Sequence, residues 1–507
     1  MKKVRFKNFH SVLRKSESYI LMALFFSIPL SPKLTTVLII IYSLASLLTF
    51  EREYLRRIWF RKPAFLLILV YLILVIGLSY SSDINTGFSK IQTQLSLLIF
   101  PLFLGGKSIL KKQKEQYLLS FVLGIVFTSL LCFGNSFYRY FKGEEYYVLD
   151  EFSRKTNIFF YTEFSAFLDL HPTYFSIYIG FALFYLLGFY KTKKKYGFII
   201  KWTAITFLFV TLIFTSSKGG IFTFFIASSV YFAYRFIMKP NKYSVALLIA
   251  LIVGATGMFL INPILFKRSM QLVNSFNKVW VKQEQTNESS SIRFGLWKLS
   301  VEVSKKSPFF GYGTGTVIRT LNENCIDLFS FSTCEGLRNK NSHNQYLNFL
   351  VSNGFLILIP FLFALFLGLV KAFKNKDQVF FFFIVFIGLN FLFESTLQRE
   401  RGVVFFSAFF ILFLVCENPQ KEIELSYSTE SILLDGDCAW PILRYKINEE
   451  LRKKDGLTSR TLKINKTLVF KLLRTLFYGL NEILRIKRYE FWVFSILTGE
   501  EKFVEST

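Results

Sequence analysis

One polar stretch, residues 289–354, interrupts an otherwise apolar sequence. It reads SSSIRFGLWKLSVEVSKKSPFFGYGTGTVIRTLNENCIDLFSFSTCEGLRNKNSHNQYLNFLVSNG. It begins near Arg293 and Trp297, passes through GYGTG at 311–315, and ends close to His343-Asn344, where an apolar run resumes. Because the flanking sequence is apolar, we expect the stretch to lie outside the membrane and to hold functional groups at its surface.

The composition predicts an all-α polytopic membrane protein. Of 507 residues, 52% are hydrophobic, and the mean hydropathy is +0.40. Soluble domains are roughly 45–50% apolar. The excess here is concentrated in runs of about 20 residues, the length of a membrane-spanning helix. We expect the 64 phenylalanines to form mainly lipid-facing surface.

About twelve apolar runs predict the membrane spans. Every second loop between them is short and rich in Lys and Arg, which places both termini in the cytoplasm and a large loop, 263–342, on the periplasmic side between spans 9 and 10. The predicted spans are 19–30, 34–50, 64–80, 88–104, 117–140, 172–190, 198–214, 221–237, 244–261, 344–370, 379–393 and 403–416.

The formal net charge of +27 reflects this topology. The positive-inside rule and contact with anionic membrane lipids explain the basic loops, so we expect no nucleic-acid partner. The sequence divides into a membrane domain, 1–416, and a polar cytoplasmic tail, 417–507. Interleaved apolar and basic residues at 467–497 predict an amphipathic helix on the inner leaflet, or pairing with a partner helix.

The five cysteines form no CxxC pair, which argues against structural zinc. Cys325 and Cys334 share the large loop and could form a disulfide there if the loop is periplasmic. The sequence leaves this pairing open.

His343 is the first candidate for chemistry. The chain has only three histidines, and this one directly precedes the tenth span. Its ordinary pKa of about 6.5 suits a general base. The alternative is an interfacial polar residue that caps the helix. Asn344 could orient the imidazole or simply begin the helix.

Two cations suggest an anionic ligand. Arg293 offers a planar set of donors that matches phosphate oxygens, and on a helix it would share a face with Trp297. Lys218 lies in TSSKGG between two apolar runs. A charge next to hydrocarbon is costly and is therefore often functional. The alternatives are a solvated loop cation and a lysine that extends to the membrane surface.

Two further polar positions fall at the same predicted membrane face. His171 precedes Pro172 at the start of a span and could bind a sugar hydroxyl or cap the helix. Glu394 ends the eleventh span close to Arg399 and Arg401. This acidic and basic group could form a salt-bridged turn or part of a phosphate site.

The sequence contains none of the common cofactor motifs. GYGTG lacks the third glycine of a dinucleotide fingerprint, and there is no P-loop, HExxH or GxSxG motif. Carboxylates do not cluster as they do around a catalytic metal. We therefore expect no cofactor and no metal, and a substrate that carries its own activated leaving group.

Four motifs, in this order, resemble the O-antigen ligase family. They are TSSKGG, the stretch from Arg293 and Trp297 through SPFFGYGTG, SHNQYL with the following NG, and ESTLQRERGVVFF. The resemblance covers roughly residues 18–416 and implies a GT-C-like inner-membrane glycosyltransferase. Such enzymes transfer a glycan from undecaprenyl pyrophosphate to an acceptor on the periplasmic side. Ligases use lipid A–core, related polymerases a second lipid-linked repeat, and related oligosaccharyltransferases a protein.

The resemblance also implies roles for single residues. It makes His343 the base and Arg293 a pyrophosphate ligand. Lys218 stands where the family often has arginine, which keeps the charge but not the two-pronged donor geometry. We add Arg401 as a third pyrophosphate ligand, and Asn344, His171, Glu394 and Trp297 as supporting residues.

Two functions of other classes remain open from the sequence. One is a transporter for a lipid-linked glycan or small anion, although the chain shows no pair of broken helices in related halves. The other is a structural scaffold that uses the tail for docking, which leaves the polar stretch unexplained.

Overall fold

The computed structural model describes residues 2–144, 147–149, 155–192, 194–238, 249, 253 and 289–417. This part of the chain is mostly helical. The helices are α1 (Lys2–Ser27), α2 (Pro32–Leu48), α3 (Arg52–Phe60), α4 (Lys62–Ile76), α5 (Ile84–Thr93), α6 (Ser96–Phe103), α7 (Lys111–Phe141), α8 (Tyr161–Ser165), α9 (Pro172–Gly188), α10 (Lys195–Thr215), α11 (Lys218–Met238), α12 (Ser289–Lys306), α13 (Val317–Asn324), α14 (Phe331–Leu337), α15 (Gln345–Lys374), α16 (Gln378–Phe393) and α17 (Glu400–Val415). Two short strand pairs are β1 (Ile109–Leu110) parallel to β4 (Cys416–Glu417), and β2 (Tyr147–Leu149) antiparallel to β3 (Lys155–Asn157).

Within the described residues, four helices are long and apolar enough to cross a membrane: α7, α10, α11 and α15. The number rises to six if two bent pairs each count as one span. One pair is α2 with α3, bent by 114°, and the other joins Tyr161–Leu168 to α9 at 88°. The predicted span 244–261, apart from residues 249 and 253, and the amphipathic tail lie outside the described residues.

The predicted span 19–30 overlaps the end of α1, which has 26 residues. Three other predicted spans coincide with shorter helices. Those at 64–80, 379–393 and 403–416 correspond to α4, α16 and α17, which have 15 or 16 residues, fewer than the roughly 20 that cross a bilayer. The segment predicted as one span, 88–104, is instead two helices, α5 and α6, separated at Gln94 and Leu95.

The centre of the bundle is formed by α9 and α17. Every side chain from Pro172 to Leu186, and from Arg401 to Val415, is buried. A helix that is apolar on all sides can be surrounded by lipid or by protein; these two are surrounded by protein, and phenylalanine supplies much of the contact. The ring of Phe409, for example, lies 5.0 Å from that of Phe405 and 5.2 Å from that of Phe181. The expectation that phenylalanines mainly face lipid is therefore wrong for this interior.

The polar stretch, residues 289–354, is a folded helical unit. Helices α12, α13 and α14 bury a small apolar core of their own, which includes Leu296, Leu299, Val303, Leu321 and Phe329. A disulfide joins Cys325 to Cys334 beside this core, with the two Cα atoms 5.7 Å apart. The disulfide that the sequence left open is thus formed in the structure.

The glycine-rich segment GYGTG fastens this unit to the bundle. Helix α15 is interrupted at Asn353 and Gly354, and segment 308–314 fills the break. There the N–H groups of Tyr312 and Gly313 donate to the carbonyls of Val351 and Ser352 at 3.0 and 2.7 Å.

Glycine is required where these backbones meet. Gly313 has φ +98°, and a Cβ there would lie 2.6 Å from Cα of Ser81. Gly354 has φ +63°, and a Cβ there would lie 2.3 Å from the carbonyl oxygen of Phe309. Such contacts exclude a side chain. GYGTG is therefore a packing motif that sets the position of α12 over the ends of the membrane helices.

Candidate functional site

The motif SHNQ at 342–345 joins three parts of the structure. The buried Ser342 hydroxyl lies 2.9 Å from that of Ser300 on α12. The N–H of Asn344 donates to Oγ of Ser395 at 3.1 Å, and Oε1 of Gln345 accepts from the N–H of Leu397 at 2.8 Å. The motif is thus held between α12 and the turn that follows α16.

The main chain of His343 is held by hydrogen bonds, and this fixes the position from which its ring extends. Its φ is +44°, a left-handed conformation that is uncommon outside glycine. Its N–H donates to Oδ1 of Asn341 at 2.9 Å, and its carbonyl accepts from Nε1 of Trp297 at 3.4 Å. Asn344 caps α15 by accepting from the N–H of Leu347 at 3.1 Å. Trp297 and Asn344 therefore position the histidine through the backbone and do not touch its ring.

Glu394 is the common partner of the two principal candidate residues. Its Oε1 lies 3.3 Å from Nδ1 of His343, and its Oε2 lies 3.5 Å from Nη2 of Arg293. The exposed fractions of these side chains are 16% for Glu394, 29% for His343 and 31% for Arg293. We call these three residues the site cluster. It is partly covered by protein yet open to solvent.

The charge state of Glu394 decides what the imidazole can do. Burial acts to raise the pKa of Glu394, but the hydrogen bond from His343 and the charges around it outweigh burial, so the pKa lies below its ordinary value. An ionised carboxylate can only accept hydrogen bonds. Nδ1 of His343 therefore donates to Glu394, and in the neutral tautomer with this bond Nε2 is the nitrogen that can accept a proton.

The beginning of α11 lies next to Arg293. A Cβ placed on Gly219 would be 3.9 Å from Nη1 of Arg293. Lys218 is the first residue of α11, but its side chain lies outside the described part of the structure. The described backbone therefore brings the TSSKGG motif to the site cluster without defining the position of the lysine charge.

His171 lies at the edge of the cluster and caps a helix. Its Nδ1 accepts from the N–H of Thr173 at 3.3 Å, at the start of α9. Part of the ring is accessible to solvent, but the surrounding protein still desolvates it, and this is the main cause of its lowered pKa. The charge of Glu394 opposes the shift, while those of Arg399 and Arg293 add to it. His171 therefore favours the neutral form.

Arg401 is held away from the cluster. Its guanidinium donates to the carbonyls of Pro29 and Leu168, at 3.3 and 2.6 Å, and the residue is only 8% exposed. These contacts tie α17 to the turn after α1 and to the turn before α9. Glu394 pairs with His343 and Arg293, so the salt-bridged turn that the sequence suggested for Glu394 with Arg399 and Arg401 is not what forms among the described residues.

Several supporting residues were not singled out from the sequence. Ser300, Ser395 and Gln345 hold the SHNQ motif, yet serine and glutamine in a polar stretch carry no distinctive signal. Gln345 and Ser395 did lie within motifs that resemble the family. Within the described residues no group of three His, Cys, Asp or Glu side chains is placed to hold a metal ion.

Residues 203–362 match the family model described as O-antigen ligase. The matched region contains Lys218, Arg293, Trp297 and His343, whereas Glu394 lies beyond it. No relative among curated proteins matches the chain. Proteins described by this model are of the glycosyltransferase-like ligase and polymerase class, and the apolar helices fit a multi-pass membrane protein of lipopolysaccharide biosynthesis. The resemblance of this chain to the O-antigen ligase family, which its motifs indicate, is thereby confirmed.

Proposed function

We propose that the protein is an inverting, metal-independent O-antigen ligase. It transfers a glycan from undecaprenyl pyrophosphate to lipid A–core at the periplasmic face of the inner membrane. The observation that carries this proposal is the convergence of an imidazole, a carboxylate and a guanidinium in one accessible cluster, beside the start of α11.

In this reaction His343 is the general base. Nε2 of His343 takes the proton of the acceptor hydroxyl, whose oxygen attacks the anomeric carbon of the donor glycan. The bond between that carbon and the diphosphate breaks, and undecaprenyl pyrophosphate leaves with the electron pair. A single displacement inverts the anomeric configuration. Glu394 holds the ring in the required tautomer and stabilises the imidazolium that forms.

The cations stabilise the leaving group. A unit charge about 4 Å from a phosphate oxygen contributes roughly 4 kcal/mol at an effective dielectric near 20, before desolvation. Arg293 is accessible and only loosely paired at 3.5 Å, so a diphosphate can replace Glu394 as its partner. We assign Lys218 the same role, which the start of α11 next to Arg293 supports. Arg401 has no place in this assignment because its donors already bind main-chain carbonyls.

We further propose twelve spans with both termini in the cytoplasm. The alternation of basic loops supports this topology. It puts the segment with the Cys325–Cys334 disulfide in the periplasm, an oxidising compartment where disulfides persist. His343 follows soon after that segment, and its contacts place Arg293 and Glu394 at the same membrane face under this topology.

The test is a transfer assay with the purified full-length protein and undecaprenyl-pyrophosphate-linked glycan. Lipid A–core, a second lipid-linked repeat and a protein are offered as acceptors. We expect His343→Ala to lower kcat on lipid A–core by about 10²- to 10⁴-fold, the usual contribution of a general base. Asn322→Ala, at a partly exposed position of the same polar unit whose side chain binds Asn339, is the control and should retain activity.

The acceptor arms separate ligation from its relatives. Transfer only to a second lipid-linked repeat would make the protein a polymerase, and transfer only to protein an oligosaccharyltransferase. A folded His343→Ala variant that remains fully active would overturn the assignment of the base.

A further inference from the structure

A second group of cations lies close to the site cluster but outside it. Lys90, half-buried near the end of α5, extends its Nζ to within 3.5 Å of the carbonyl oxygen of Gln398. Gln398 ends the 3₁₀ turn Thr396–Gln398, and the exposed Arg399 follows it directly. The charges of Lys90 and Arg399 are near enough to repel each other. Two segments more than 300 residues apart in sequence thus bring two positive charges together.

These two cations are not compensated within the described part of the chain. Neither forms an ion pair with a described carboxylate. The nearest acid in sequence, Glu400, accepts a hydrogen bond from Thr36 on α2. A cation in the last turn of a helix is favourable, which accounts for a lysine at this position in α5. It does not account for a half-buried lysine whose carbonyl partner directly precedes a second cation, an arrangement that costs free energy unless an anion is present.

The pair lies on the turn that also holds the SHNQ motif. In that turn Oγ of Ser395 accepts from the N–H of Asn344 at 3.1 Å, and the N–H of Leu397 donates to Oε1 of Gln345 at 2.8 Å. Gln398, the partner of Lys90, and Arg399 follow directly. A phosphate bound at Lys90 and Arg399 would therefore lie on the turn that holds the segment carrying His343.

We propose that Lys90 and Arg399 form a phosphate-binding subsite that anchors the acceptor substrate, separate from the cations that receive the donor diphosphate. The chemistry recognised is a phosphate group on a lipid at the membrane surface. Lysine offers a point charge and arginine a planar pair of donors, a combination that suits phosphate oxygens. As a statement about the acceptor, this inference rests on the proposed function.

A phosphate at this position has two sources, the acceptor glycolipid and the headgroup of an anionic phospholipid. The location on the turn that holds the SHNQ motif favours the acceptor, because the acceptor hydroxyl must reach His343 in that motif. An anionic phospholipid would bind in the same way but would remain in place whether or not an acceptor is present.

The test is equilibrium binding, which needs no turnover. The full-length protein in zwitterionic nanodiscs is titrated with lipid A–core, either intact or enzymatically dephosphorylated. We expect Lys90→Gln and Arg399→Gln each to weaken binding of the intact acceptor by about tenfold, the effect of one charged hydrogen bond. Binding of the dephosphorylated acceptor should be unchanged. Lys90→Arg and Arg399→Lys should retain most of the preference for intact over dephosphorylated acceptor. Lys142→Gln, which removes an exposed cation at the end of α7, should retain all of that preference.

The source of the phosphate is resolved by a second titration in nanodiscs that contain phosphatidylglycerol. If the subsite binds phospholipid, phosphatidylglycerol will stabilise the folded wild-type protein but not the two glutamine variants. The preference for intact over dephosphorylated acceptor will then be the same in wild type and in all variants. The subsite is disproved if neither phosphate source distinguishes the variants from wild type, or if affinity for both acceptor forms falls equally. Because binding is measured without chemistry, a protein that binds with phosphate preference but transfers nothing would refute only the proposed reaction.

Discussion

The two acidic residues at the ends of α16 behave in opposite ways. Asp377 precedes the helix, accepts from the N–H of Phe380 at 3.1 Å, and pairs with Lys114 at 2.7 Å. Glu394 follows the same helix roughly 24 Å away, at 1.5 Å per residue. It shares its two oxygens between Arg293 at 3.5 Å and His343 at 3.3 Å. Asp377 thus has one close cationic partner, whereas Glu394 has two loose ones.

Helix electrostatics explain this difference. A carboxylate is favourable at the N-terminus of a helix, where Asp377 also binds a free N–H group, and unfavourable at the C-terminus, where Glu394 lies. Asp377 with the buried Lys114 therefore makes a stable link between α7 and α16. Glu394 depends on the cations brought to it by α12 and the SHNQ motif. A carboxylate held in this way can release Arg293 to a substrate anion.

The largest effect that would sharpen this contrast is expected from Glu394→Gln. The amide keeps the size of the side chain but removes the charge that holds Nδ1 of His343 protonated. We expect kcat for glycan transfer to fall by about 10²- to 10³-fold, within the range of general-base effects. Thermal stability should change little, because the contacts at 3.3 and 3.5 Å are loose and partly solvated.

A pH profile separates positioning from mere structural support. If Glu394 acts through His343, the pH dependence of kcat in Glu394→Gln should be displaced from that of the wild type. Equal profiles with a uniform loss of rate would mean that the carboxylate only supports the fold, and the proposed contrast between the two ends of α16 would fail.

The next effect concerns Asp377. Asp377→Asn preserves a capping side chain but leaves Lys114, which is 7% exposed, without its counter-charge. Removing one partner of a buried pair is strongly destabilising, and we expect a loss of about 3 kcal/mol. Thermal unfolding of the protein in nanodiscs measures this loss, while kcat per folded molecule should stay near that of the wild type.

The double variant Lys114→Met with Asp377→Asn is the matched control. Replacing both charges removes the buried lysine that the single variant leaves unpaired, so stability should recover toward the wild type. A double variant as unstable as the single one would show that the ion pair is not what Asp377 contributes.

The sequence predicted the parts of the site that depend on local spacing. Arg293 and Trp297 do lie one turn apart on a helix, α12, and Asn344 does begin the tenth predicted span as its cap. Both predictions follow from helix periodicity and capping preferences, which act within a few residues. The positions of the polar stretch and of most apolar helices were predictable for the same reason.

What the sequence did not reveal depends on contacts between distant segments. Glu394 has two neighbouring arginines in sequence, yet its partners come from residues 293 and 343. The neighbours differ from each other as well, since Arg401 turns inward to two carbonyls while Arg399 stays exposed. Charge proximity along the chain says little about ion pairing, because the packing of α12, α15 and α16 decides which side chains meet.

The smallest effect is a pH dependence of stability that originates at His171. Burial and nearby cations lower the pKa of His171 in the folded protein, so the unfolded state binds its proton first as the pH falls below about 6.5. Stability should therefore be complete above that pH and decrease as the pH falls toward the folded pKa.

The variant His171→Asn keeps a capping side chain at the start of α9 and removes the titrating group. Melting temperatures measured from pH 7.5 to 5.5 should fall less steeply in this variant than in the wild type. Glu394 does not interfere in this range, because its lowered pKa keeps it ionised. Parallel pH curves for the two proteins would show that folding does not desolvate His171. The surroundings of Glu394 would then be more accessible to water than its contrast with Asp377 implies.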